Sequence, residues 1–72
     1  MILLRELLDN ITIQGDIRID VLYSDGQSNT IYNGTTDSLT YADIDDKYLD
    51  LEVCYMYASD DKELVIELDS EN

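Results

Sequence analysis

The chain has 72 residues, with seventeen Asp and Glu against four Lys and Arg and no His, and its formal net charge is −13. That length makes one small domain, and a field of this sign repels nucleic-acid phosphates and anionic membrane surfaces. An apolar content of 44%, six Tyr and no Pro exclude a disordered acidic tail, which lacks the residues to build a core.

Leu4, Leu7, Leu8 and Ile11 recur at helical spacing, with Arg5, Glu6 and Asp9 on the other side. This predicts a short amphipathic helix over 2–9. It is too short to be stable alone and must dock. The opening Met1-Ile2-Leu3-Leu4 meets Arg5 and Glu6 at once, which is too short an apolar run for a signal-peptide core. No stretch reaches the ~20 apolar residues that cross a bilayer. The single cysteine, Cys54, suits a reducing compartment. The expectation is a cytoplasmic protein.

From Ile17 the period becomes two. Ile17, Ile19, Val21 and Tyr23 alternate with Arg18, Asp20 and Leu22, the pattern of a strand with one face inward. Asp25-Gly26 is a turn signal, and Asn29 to Asn33 return as a shorter strand closed by Gly34. The hairpin spans 17–33. Thr35 to Ser38 then offer helix caps, so a short helix is predicted over 37–43, with Leu39 and Ile44 inward. A second hairpin is predicted over 49–69. In it Leu49, Leu51, Val53, Tyr55 and Tyr57 alternate with Asp50, Glu52, Cys54 and Met56; after Asp60-Asp61-Lys62, Leu64, Ile66 and Leu68 alternate with Val65, Glu67 and Asp69. The expected fold is α+β: a four-stranded antiparallel sheet made of two hairpins, the N-terminal helix on one face and a short helix between the hairpins.

Chemistry-bearing motifs are sparse. Asp37-Ser38-Leu39 resembles the Asp-Ser-Leu that carries phosphopantetheine in acyl carrier proteins. Those proteins are helical bundles, whereas the flanking segments here read as strands, so a helix cap is the preferred reading. An EF-hand loop from Asp43 needs Gly sixth and Glu twelfth; those places hold Tyr48 and Cys54. Without His there is no imidazole base and no Ser-His or Cys-His nucleophile. Cys54 reads as a small strand residue. A small sheet offers no deep cleft to raise a carboxyl pKa for acid catalysis. No phosphate loop or zinc spacing is present. The chain is expected to be no enzyme, with no cofactor and no metal site.

The charge admits three uses. The first is imitation of a polyanion. A compact 8.3 kDa domain exposes roughly 4,600 Å², so even spreading gives about one net charge per 350 Å². Duplex DNA carries about one per 110 Å², and clustering on one face narrows that gap. Dense groups run from Asp43 to Glu52 and from Asp60 to Glu63, and Asp20, Glu67 and Asp69 fall on an outer sheet face. The second use is solubility and partner selection in an interaction module, with affinity from tyrosines or a sheet edge. The third is salt adaptation.

The layout of Leu3-Leu4-Arg5-Glu6-Leu7-Leu8, the Tyr23-Ser24-Asp25-Gly26 hairpin, Ile31-Tyr32-Asn33-Gly34 and a second hairpin resembles the short acidic proteins of phages and mobile elements of Gram-positive bacteria. Some comparable proteins are anti-CRISPR or anti-restriction inhibitors that mimic DNA, so the resemblance implies an inhibitor. The expected partner is a basic, nucleic-acid-binding protein. Asp43, Asp45, Asp46, Asp50 and Glu52 would stand in for phosphates, Asp60, Asp61 and Glu63 would form a second group, and Tyr48 would make short-range contact. No contact with nucleic acid itself or with membrane is expected.

Overall fold

The computed structural model describes residues 1–10, 14–35, 44–60 and 62–70. The N-terminal apolar stride becomes helix α1, Leu4–Asn10. Its first turn closes on itself: the Leu3 N–H donates to Glu6 Oε1 at 3.0 Å, the reach-back that satisfies an orphan N-terminal donor. At the other end the Asn10 side-chain amide donates to the Glu6 carbonyl at 2.7 Å. The predicted start at residue 2 is displaced because residues 2 and 3 are extended along the sheet, with Leu3 bridged antiparallel to Glu52.

Strands β1 (Asp16–Leu22), β2 (Ser28–Thr35), β3 (Glu52–Ala58) and β4 (Leu64–Asp69) form the two expected hairpins. Their arrangement corrects the expected all-antiparallel sheet. The order is β2-β1-β4-β3, and β1 pairs with β4 in parallel, Ile17 beside Leu64 and Ile19 beside Ile66. Burial accounts for this order. β1 and β4 carry the buried aliphatic side chains of the sheet, Ile17, Ile19, Val21, Val65, Ile66 and Leu68, and both strands read as nearly continuous burial. Placing them side by side at the centre hides both. The polar β2 and the tyrosine-bearing β3 are left as edges.

One sheet face and the helices enclose the core. Leu4 and Leu7 of α1 pack with Ile17, Ile19, Val21, Ile66 and Leu68 and with Ile44 and Leu49. At roughly 25 cal/mol per Å² of apolar surface removed from water, these side chains supply most of the driving force. Leu49 does not begin a strand as expected. It ends helix α2, Asp46–Leu49, capped by Asp45, whose carboxylate accepts from the Lys47 N–H at 3.2 Å. The predicted helix over 37–43 and the Asp37-Ser38-Leu39 motif lie outside the described residues.

A bulge in β3 overturns the expected facing of its tyrosines. The register shifts between Val53 and Tyr55, so Val53 opposes Leu68 and Met56 opposes Ile66, while Tyr55 opposes Glu67 and Tyr57 opposes Val65. One extra residue, Cys54, flips every later side chain to the other face. Tyr55 and Tyr57 therefore leave the core face that Val53 faces.

Candidate binding face

The sheet face opposite α1 is built by the even residues of β1 and their neighbours. Register sets three rows across it. Arg18 stands beside Val65, which opposes Tyr57; Asp20 beside Glu67, which opposes Tyr55; Leu22 beside Asp69, which opposes Glu52. Among the described residues no helix lies on this face. Val65 is fully buried yet separate from the main core cluster, because Arg18 and Tyr57 flank it.

Arg18 organises one half of the face. Its Nε donates to Asp20 at 3.1 Å and its Nη1 to Glu63 at 3.2 Å. Asp20, only 5% exposed, also accepts from the Thr30 hydroxyl at 2.7 Å. A carboxylate this buried is tolerable because hydrogen bonds replace its water. Asp20 above all, with Glu63 adding to it, holds the guanidinium even more firmly protonated than usual, against an opposing effect of burial that is weaker than that of Asp20 but exceeds that of Glu63.

The other half is acidic. Asp20 lies beside Glu67, and Glu52 directly opposes Asp69. Cys54 reports the local field: burial, then Asp69, Glu52 and Glu67, push its thiol pKa up. Three carboxylates thus act together on one exposed side chain.

The residues singled out from the sequence divide. Asp43 and Asp61 lie outside the described residues. Asp45 is spent as the cap of α2. Asp50 accepts from Arg5 at 3.1 Å on the surface, and Asp46 and Asp9 add to the field that keeps Arg5 protonated. Glu52 joins the sheet face. Asp60 and Glu63 sit at the opposite end of β3 from Asp45 to Asp50, about 20 Å away at ~3.3 Å per strand residue. The two expected groups are therefore separate, and each includes a paired carboxylate. Tyr48 is half-buried against the core, with the Lys47 ammonium 5.0 Å from its ring centroid. It lines a pocket of about 300 Å³ with Val21, Tyr23, Lys47, Leu51 and Ser70, large enough for one partner side chain. Glu67 and Asp69 were legible as an outer-face pair from the period-two pattern; Tyr55 and Tyr57 were hidden by the bulge.

Among the described residues no group of three or more His, Cys, Asp or Glu has metal-holding geometry, and no helix is long and apolar enough to cross a membrane. No family model, curated protein or solved structure matches this chain.

Proposed function

We propose that this chain is a non-catalytic binding protein whose acidic sheet face occupies the basic groove of a nucleic-acid-binding protein and so blocks it. The observation that supports this reading is the register. It sets Glu52 against Asp69 and Asp20 against Glu67, and like charges directly across strands cost roughly 0.2–1 kcal/mol each. Glu52, Glu67 and Asp69 share one face, and a cationic partner lowers their mutual repulsion. Rows of like charge set by strand register mark candidate functional surfaces.

The test is retention of basic nucleic-acid-binding proteins on the immobilised chain at low and at physiological salt. Retention that falls steeply as salt rises, and that duplex DNA competes away, supports the proposal. Salt-independent retention of a neutral partner overturns it.

A second reading has its own support. Tyr55, Met56 and Tyr57 are 62%, 45% and 44% exposed on consecutive positions of an edge strand, and exposed tyrosines are frequent contact residues. In this reading the chain is an interaction module whose acidity only selects partners.

A further inference from the structure

Among the described residues, the outer edge of β3 is used by this chain's own residues at one end and open at the other. The Val53 N–H donates outward to the Ile2 carbonyl at 2.7 Å, and the Leu4 N–H donates to the Leu51 carbonyl at 2.9 Å, around the Leu3–Glu52 bridge. Residues 2–4 thus form one short rung of an added strand. Beyond it Cys54 to Ala58 are all exposed. At the turn the Ser59 N–H donates inward to the Glu63 carbonyl at 2.9 Å. Alternation along an antiparallel ladder then directs Tyr57 and Tyr55 toward β4, and turns the N–H and C=O of Met56 and Ala58 outward.

Such an edge is a template for another strand. A second copy is a poor occupant: it brings another −13 and sets Glu52 and Asp60, at the two ends of this edge, beside their counterparts. Charge complementarity selects a cationic segment. An incoming strand would lay alternate side chains beside Tyr55 and Tyr57, with Glu67 and Val65 one strand further in, and the intervening ones beside Met56. The first set suits Lys or Arg, whose cations are attracted to tyrosine faces and to carboxylates. The second set suits apolar residues.

We infer that the β3 edge from Cys54 to Ala58 takes an extended partner segment in which Lys or Arg alternates with apolar residues, joined main chain to main chain at Met56 and Ala58. This rests on the reading of the chain as a binder of basic protein surfaces and supplies its mode of engagement.

The probe is a synthetic peptide of alternating Arg and Val, with alternating Glu and Val as control. Amide hydrogen exchange of the isotope-labelled protein is read by NMR. Saturating Arg peptide should slow exchange at Met56 and Ala58 by about tenfold or more, and the Glu peptide should slow neither. Met56→Pro removes only an outward N–H, a change edge strands accept, and should abolish Arg-peptide binding while circular dichroism stays native. The exchange measurement needs no variant, so a misfolded Met56→Pro would not blunt the test. Salt-sensitive binding that leaves Met56 and Ala58 exchange unchanged, or that survives in a folded Met56→Pro, overturns the edge inference and leaves the acidic-face proposal standing. No binding of the Arg peptide at any salt overturns both.

Discussion

In the β1–β2 hairpin, Gly26 takes the left-handed position at φ +89° of a turn closed by the Tyr23 N–H on the Gln27 carbonyl, 2.8 Å. In β3–β4, Lys62 takes the same position at φ +64°, and the Ser59 N–H closes on Glu63 at 2.9 Å. Both hairpins also contain a register shift. Their outer strands differ. β2 is mostly Ser, Asn and Thr, and its Tyr32 folds back, donating its hydroxyl to the Thr35 carbonyl at 2.7 Å. β3 instead turns tyrosines and a methionine to solvent beside carboxylates. The same local construction yields one edge that is polar and closed by its own aromatic, and one that presents contact groups. The difference lies in side chains, not in topology.

The sharpest way to break this comparison is at the seam the hairpins share. Ile66→Ala empties a fully buried site and should cost about 2–5 kcal/mol, lowering Tm by roughly 10 °C or more. Amides of both hairpins should lose exchange protection together. Persistent protection of β1–β2 alone would show that the hairpins are independent units.

Next in size is Asp20→Ala, which strips Arg18 and Thr30 of a buried acceptor and should cost about 1–3 kcal/mol in denaturant unfolding. The loss should fall on the β1–β2 side and leave the β3 edge intact. Lys62→Gly makes the second turn like the first. Release of left-handed strain exceeds the added unfolded-chain entropy only slightly, so a gain under about 1 kcal/mol is expected.

The smallest effect is chemical. Burial first, then Asp69, Glu52 and Glu67, raise the Cys54 pKa, so the folded state holds the neutral thiol to higher pH than the unfolded chain does. Any associated stability is therefore present below the unfolded thiol pKa and lost as pH rises through the folded one. Alkylation at mildly alkaline pH should be slower in the folded chain than in the unfolded one, and Glu67→Gln with Asp69→Asn should speed it. Rates unchanged by that double substitution would show that no joint field acts on Cys54.

Much of the fold was legible because turns and period two are local signals. Asp25-Gly26 announced the first hairpin, and the alternation of Ile66 and Leu68 with Glu67 and Asp69 placed two carboxylates outside. The parallel seam was not legible: the same alternation satisfies either order of two hairpins, and only the Ile, Val and Leu of β1 and β4, against the Tyr and Met of β3, hint at the centre. Nor was the Cys54 bulge, since an extra residue leaves no mark in a pattern that merely continues. α2 is a single turn, too short for any period, and its cap Asp45 looked like one more acid in a run. Asp45 and Asp50, exposed acids in that run, also serve the fold as a helix cap and as the partner of Arg5, and Tyr55 and Tyr57 lie on the face opposite Val53.

The account depends most on Glu52, Glu67 and Asp69 acting as one surface. Its most direct measurement is displacement of labelled duplex DNA from a captured nucleic-acid-binding partner by the wild-type chain and by the triple variant E52Q/E67Q/D69N, folded alike. The account predicts that wild type displaces the duplex and that the variant needs at least about tenfold more protein, a loss near 1.4 kcal/mol. Equal displacement by both chains, or a partner that holds the duplex and this chain together, would contradict it.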